Sequence, residues 1–208
     1  MFKYLTLFII SLISTLSAQW QNGDIIFTKT SGRQAIAVLA ATESPWTHTA
    51  VIFIDKGKPM VLEAVQPVQI ISLKAYLSRS GPQSNHRFKR LKDQTAIKKD
   101  PLKQAAVWAR KHVGKNYDGR FQWSDKTFYC SELVWKVYHQ CADIELCKVK
   151  KVKDYNLEHP KVKQLIKERF GSVNRLNLEE KIVAPSDIYD SKLLVEFHPF
   201  KKKEALKK

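Results

Sequence analysis

The chain has 208 residues, of which 44% are hydrophobic and 27% are charged. This length and balance predict one globular domain with its own apolar core, and they exclude a disordered or fibrous chain. Lys and Arg total 36 against 20 Asp and Glu, a formal net charge of +16. Such a charge favours anionic surfaces, including lipid headgroups, wall polymers and nucleic acid, and the alternative is a solvated, solubilising face.

The first 18 residues are typical of a signal peptide. Lys3 supplies a short positive region, residues 5–13 form an apolar run, and residues 15–18 are mostly small and precede a cleavage point near Gln19. The apolar run is shorter than the roughly 20 residues of a membrane-spanning helix. We therefore expect export to the periplasm or the extracellular space, and the alternatives are a retained anchor or a buried first helix. Removal of this segment would leave a net charge of +15, because it holds one Lys and no acid.

Short apolar strands and amphipathic helices fill residues 19–200, which we expect to form the domain, and a Lys-rich tail follows at residues 201–208. Strands are predicted at residues 24–27, 47–54, 60–65, 68–73, 87–91 and 181–184. Helices are predicted at residues 31–42, 101–112, 130–140 and 160–170, with a short helical turn at 185–190. Asp100 before Pro101 is a good N-cap, and Gly114 and Gly171 end two of the helices. Strands dominate the first half and helices the second, which predicts a single-domain α+β fold.

The three cysteines are Cys130, Cys141 and Cys147, and an odd number leaves at least one free thiol in an exported protein. If Cys130 and Cys141 share one helix, they lie about 16 Å apart, beyond the roughly 7 Å between Cα atoms that a disulfide allows. Cys141 and Cys147 are the easy pair, and whether they form a disulfide stays open. The sequence has no CxxC motif and no Cys/His spacing typical of a metal site, so we expect no metal or other cofactor.

Three residues are candidates for chemistry. Cys130 begins a predicted helix, where the helix dipole and free N–H groups stabilise a thiolate, and the alternative is a structural cysteine in the core. His48 stands at the start of an apolar strand, whereas the other histidines lie in basic or loop contexts. Glu63 interrupts another apolar strand, where a carboxylate is costly unless it is paired. If these strands form a hairpin with Ala50 opposite Glu63, the His48 and Glu63 side chains share a face, but a one-residue slip would turn Glu63 away.

Taken in order, these motifs resemble the NlpC-type papain-like cysteine hydrolases, in the circularly permuted branch of YiiX/YebB-like proteins. The matching segments are residues 23–27 (GDIIF), 48–52 (HTAVI) and 129–134 (YCSELV), with the Cys helix moved behind the His strand. Residues 44–48, 63–65, 114–118 and 123–125 are similar as well. The resemblance runs from about Gly23 to Asp187. It implies a small antiparallel sheet packed on helices.

The resemblance also implies a catalytic triad in which Cys130 is the nucleophile, His48 its base and Glu63 the orienting carboxylate. The backbone N–H of Cys130 would serve as an oxyanion donor, because it lies at the free start of a helix. Tyr117 would add a phenolic donor or contact the substrate, and the alternative is a packed aromatic residue. Glu132 departs from the pattern, because the unpermuted family often has Gly at that position, so the substrate preference of those wall peptidases is not carried over.

An exported triad predicts hydrolysis of an amide or peptide bond outside the cytoplasm, with cell-wall peptides as a candidate substrate. Permuted relatives also include enzymes that act on lipids, so the related alternative is thioester chemistry on a lipid acyl chain. A third possibility is a non-catalytic basic module that binds anionic wall or membrane surfaces. We expect no nucleic-acid partner, because export removes most such ligands.

Overall fold

The computed structural model describes residues 20–93 and 101–200. The expected signal peptide at residues 1–18, the Asp100 cap and the tail at residues 201–208 lie outside the described residues. Within the part of the chain that is described, no helix is both long enough and apolar enough to cross a membrane.

Six antiparallel strands form the main sheet of the described residues. They are β1 (Ile25–Thr28), β2 (His48–Asp55), β3 (Lys58–Glu63), β4 (Gln69–Ser72), β5 (His86–Leu91) and β8 (Leu194–Phe197). Their order across the sheet is β4-β3-β2-β1-β5-β8, so the strand that begins at His48 lies near the middle. Two short strands, β6 (Lys150–Lys151) and β7 (Lys181–Ile182), pair separately.

The helices pack on both faces of this sheet. They are α1 (Arg33–Thr42), α2 (Leu73–Arg79), α3 (Pro101–His112), α4 (Cys130–Ala142), α5 (Pro160–Phe170) and α6 (Pro185–Tyr189). Helix α4 packs on β2 and β3 and beside α3, whereas α1 packs against α5. Helix α4 packs on these strands because its apolar residues Leu133, Val134 and Val137 lie on one side of the helix. They are buried in the same cluster as Val51 and Leu62. This packing brings the first residue of α4 to the start of β2.

The α+β fold with an antiparallel sheet packed on helices confirms the sequence prediction, and the differences lie at element ends and in short elements that were not predicted. The strand predicted at residues 60–65 ends at Glu63, and the strand predicted at 68–73 ends at Ser72. Ser72 instead caps α2, because its side chain accepts a hydrogen bond from the Ala75 N–H at 3.2 Å. Helix α2 and strand β8 have no counterpart in the prediction, since seven and four residues are too few to show a clear period.

Candidate active site

The β2–β3 hairpin brings His48 and Glu63 together. Its two-residue turn has positive φ at both positions, 49° and 76°, which is the combination of a type I′ turn and matches the twist of the strands. The resulting register sets Val51 opposite Leu62. One step further along, Ala50 lies opposite Glu63, which is the register that places His48 on the same face as Glu63.

Glu63 is fully buried, so the alternative of an exposed glutamate on an outer face is wrong. Its Oε2 lies 3.2 Å from His48 Nε2. Its Oε1 accepts hydrogen bonds from Gln69 Nε2, at 2.9 Å, and from the Arg79 guanidinium. Burial alone would raise the pKa of this carboxyl, but the hydrogen bond and charge of His48, with Gln69 and Arg79, outweigh burial and lower it. Glu63 is therefore held as an anion behind the imidazole.

Cys130 is the first residue of α4 and is only 4% exposed. The polar groups that act on its sulfur are the His48 ring and the backbone N–H groups of Thr49 and Ser131. Because Nε2 of His48 faces Glu63, Nδ1 is the ring nitrogen left for the thiol. Burial raises the pKa of the Cys130 thiol, but His48 and the two N–H groups outweigh burial and lower it.

The His48 ring is favoured in its charged form. Burial lowers its pKa, but the hydrogen bonds to Cys130 and Glu63 and their negative charges raise it to about 9. The Tyr76 ring stacks on the imidazole with centroids 6.4 Å apart and planes 17° apart, and the Tyr76 hydroxyl is bonded to Thr28 Oγ1 at 2.8 Å. A raised pKa on His48 and a lowered pKa on Cys130 both favour a thiolate–imidazolium pair.

The other two cysteines have the opposite character. None of the three forms a disulfide. Burial raises the pKa of Cys141 to about 11 and that of Cys147 to about 12. Cys130 is thus the one thiol of the three whose surroundings stabilise the thiolate.

Tyr117 lies beside this pair. It forms an isolated bridge with Phe128, two residues before Cys130. Its hydroxyl accepts a hydrogen bond from Gln34 Nε2 at 2.7 Å, and its side chain lines the same cavity as Cys130. Burial and then the charge of Cys130 raise the pKa of the phenol, so it stays protonated and able to donate.

A cavity opens next to Cys130, with walls formed largely by α1 and α5. Its space of about 860 Å³ includes open solvent. Its lining is almost entirely apolar and includes Val38, Ala41, Ile166 and Phe170. The cavity therefore offers a largely apolar surface next to the thiol.

Glu132, which departs from the family pattern, has a structural explanation. Its buried carboxylate pairs with Lys136 Nζ at 2.9 Å and accepts a hydrogen bond from the Ser124 N–H at 3.1 Å. Lys136 also pairs with Asp125 at 2.8 Å. Burial raises the pKa of Glu132 to about 7 even though Lys136 opposes the shift. Glu132 thus connects the segment around residue 124 to the first turn of α4.

Sequence reasoning missed Gln34, Gln69 and Arg79. Gln69 lies directly opposite Glu63 in the β3–β4 ladder, so a correct register for that pair would have found it. Arg79 ends α2, and Gln34 belongs to α1. No local sequence signal connects either residue to the site, because their contacts depend on how these helices pack.

A thiolate beside an imidazolium, at a helix start with free N–H groups, can attack a carbonyl carbon and stabilise the oxyanion that forms. Comparison with known proteins agrees with this chemistry. Residues 19–196 match the family model described as permuted papain-like amidase enzyme, YaeF/YiiX, C92 family.

Two relatives from Escherichia coli are similar over most of their length. The uncharacterized protein YiiX of strain K12 is 35% identical over 188 residues, which is 89% of this chain and 91% of that protein. The crystal structure of metalloprotein yiiX from strain O157:H7 matches with a TM-score of 0.78 and 34% identity, over 86% of this chain and 97% of that one. These matches confirm the YiiX-like resemblance. The chain therefore belongs to the family of permuted papain-like amidases of the YaeF/YiiX type, and it is a papain-like cysteine hydrolase.

Proposed function

We propose that this protein is an exported cysteine amidase that forms a thioester on Cys130. The observation that carries the proposal is the series Glu63–His48–Cys130 at the start of α4, in which Glu63 is hydrogen-bonded to His48 and His48 lowers the pKa of the Cys130 thiol. It supplies an orienting carboxylate, a base and a nucleophile within one contact network. A cysteine that served only to fill the core would share the raised pKa of Cys141 and Cys147.

The reaction follows from this geometry. The Cys130 thiolate attacks the carbonyl carbon, and the electron pair of the C=O bond moves to oxygen, where the Cys130 N–H stabilises the charge. His48 then gives its proton to the leaving amine, the C–N bond breaks, and a thioester remains. Neutral His48 next takes a proton from water, which attacks the thioester and releases the acid and the Cys130 thiolate. Glu63 stabilises the imidazolium in each half of the cycle.

Cell-wall peptides are the first candidate substrate. The support is the amidase family together with the expected signal peptide, because an exported amidase meets wall peptides outside the cytoplasm. The strongly basic composition would favour adhesion to anionic wall polymers or lipid headgroups.

A lipid acyl group on the same thiol is the second candidate, and the apolar cavity favours it. Wall peptides carry charged side chains that would lose hydration against Val38, Ile166 and Phe170. An aliphatic chain instead gains about 0.8 kcal/mol for each CH₂ that it buries there. Hydrolysis or transfer of the acyl group would proceed through the same thioester.

The solved Escherichia coli relative is described as a metalloprotein. Within the described ranges of this chain, no group of three His, Cys, Asp or Glu side chains is placed to hold a metal ion. His48 and Glu63 also already use each other as partners. The residues that the structure describes therefore do not fit a metal centre, and the proposed mechanism uses none.

Labelling and turnover test the proposal together. We expect a fluorescent peptide electrophile to label the wild-type protein and Cys141→Ser, but not Cys130→Ser, which should remain folded by circular dichroism. Turnover of alanyl peptide 4-nitroanilides against fatty-acyl 4-nitroanilides then separates the two substrate classes. A rate that rises with acyl length supports the lipid candidate, and a preference for the peptide supports the wall candidate. Equal turnover by Cys130→Ser would refute Cys130 as the nucleophile. If the wild-type protein neither reacts at Cys130 nor turns over either substrate, the non-catalytic basic module is the better interpretation.

A further inference from the structure

One series of hydrogen bonds joins three elements around the cavity and ends at Tyr117. Gln34 Nε2, from α1, donates to the Tyr117 hydroxyl oxygen at 2.7 Å. Arg169 Nη2, from α5, donates to Gln34 Oε1 at 2.6 Å. The Arg169 guanidinium in turn lies over the Phe121 ring, 4.9 Å from its centroid. Gln34 is therefore held from one side by a cation that is itself held in place.

Arg169 determines the direction of the Gln34 amide. A guanidinium has donors and no acceptor, so the amide must turn its oxygen toward Arg169 and its nitrogen toward Tyr117. The phenolic oxygen of Tyr117 is consequently the acceptor in its bond with Gln34. Its own hydrogen remains available to donate to another group.

The acceptor that the proposed reaction brings into the cavity is the carbonyl oxygen of the substrate. Tyr117 and Cys130 line the same cavity, and the charge of Cys130 acts on the Tyr117 hydroxyl. A carbonyl compound bound at the sulfur therefore places its oxygen in the cavity that the Tyr117 side chain also lines. A donor aimed there stabilises the charge that appears on oxygen during attack.

We propose that Gln34 is a positioning residue, oriented by Arg169, that directs the Tyr117 hydroxyl hydrogen toward the substrate carbonyl oxygen. This role rests on the proposed function, because it acts during thioester formation on Cys130. It also assigns α5 a part in the reaction, since Arg169 connects that helix to the site.

Gln34→Glu tests the direction of the hydrogen bond. Glutamate has nearly the same shape and retains a partner in Arg169, but its carboxylate only accepts, so it takes the Tyr117 hydrogen away from the substrate. We expect acylation by 4-nitrophenyl butyrate to fall roughly 10²- to 10³-fold, the usual loss for one oxyanion donor, mainly in kcat rather than KM. Tyr117→Phe should show a similar loss, and the double variant should lose no more than either single one.

Alkylation of Cys130 by iodoacetamide provides the second readout. This substitution at a saturated carbon forms no oxyanion, so its pH profile reports on the nucleophile alone. We expect Cys130 in Tyr117→Phe to be alkylated at the wild-type rate. Gln34→Met, which adds no charge, should also be alkylated at the wild-type rate, but its acylation rate should be lower. Gln164→Glu, on the solvent side of α5, adds the same charge and should leave both rates unchanged.

Two outcomes would overturn the positioning role alone. The first is an acylation rate in Tyr117→Phe equal to that of the wild-type protein. The second is a Gln34→Met variant in which the alkylation rate and the melting temperature fall together with the acylation rate. A wild-type protein that is alkylated at Cys130 but never acylated would overturn the proposed function first, and this role with it.

Discussion

Cys130 should react with iodoacetamide faster than Cys141 or Cys147, although it is the most buried of the three. At pH 7 a thiol with a pKa of about 11, as Cys141 has, is roughly 0.01% thiolate. A thiol at the ordinary 9.0 is about 1% thiolate, and the pKa of Cys130 lies below that value. The thiolate advantage is therefore at least about 100-fold. The Cys130 thiolate is the weaker base and therefore the poorer nucleophile, which removes about tenfold of this advantage. Cys130 should still be alkylated at least about ten times faster than Cys141.

The assay is brief alkylation of the native protein from pH 5 to 9, followed by digestion and quantification of each cysteine peptide by mass spectrometry. His48→Ala is the informative perturbation, because without the imidazolium only burial and two N–H groups act on the thiol. In that variant the Cys130 rate should fall toward that of Cys141. Denatured protein is the control, in which all three cysteines should react alike. If Cys130 is the slowest thiol of the native wild-type protein, the thiolate–imidazolium pair does not exist and the enzyme mechanism fails with it.

Glu63→Gln should lower kcat for amide hydrolysis roughly 10²- to 10⁴-fold in a folded protein, because an amide does not stabilise the His48 imidazolium; turnover of 4-nitroanilides measures this. Amide hydrolysis should decline above about pH 9, where His48 loses the proton that the leaving amine needs, whereas alkylation should not decline. Lys136→Met should reduce the free energy of unfolding by about 3–5 kcal/mol at pH 8, because it leaves the buried Glu132 carboxylate without its cation. The loss should be smaller at pH 5, where Glu132, with its pKa of about 7, is protonated, and urea titrations at the two pH values measure the difference. Removal of residues 201–208 should weaken binding to anionic vesicles at low salt without changing turnover of a soluble substrate. Mass spectrometry of exported protein should find its N-terminus near Gln19.

Short-range rules showed that His48 and Glu63 could share a face, but the sequence left open the hairpin register that brings them together. Strand alternation places residues two apart on one face, and a two-residue turn sets the register of the hairpin. The start of α4 at Cys130 could be read from the apolar spacing that follows it. The contact between Cys130 and His48 came from family resemblance, since its geometry depends on how α4 lies across β2.

The outer part of the site could not be predicted for a related reason. Arg79 reaches Glu63 from a helix of seven residues, too short for its period to be recognised. Gln34 and Arg169 are ordinary polar residues on amphipathic helices, where exposure to solvent is the usual expectation. Only the packing of α1 against α5 turns them toward Tyr117, and that packing joins segments far apart in the chain.

The nucleophile follows its base in the chain, and this order has a consequence for biosynthesis. A polypeptide that emerges N-terminus first completes the β2–β3 hairpin, with His48 and Glu63 already adjacent, before the ribosome has made α4. Until α4 packs on the sheet, Cys130 has no imidazolium beside it and reacts like any other thiol. An incomplete chain therefore carries the acid–base pair without a reactive sulfur. The appearance of a fast-reacting thiol in a pulse-labelled nascent chain would mark the moment at which the sheet and α4 come together.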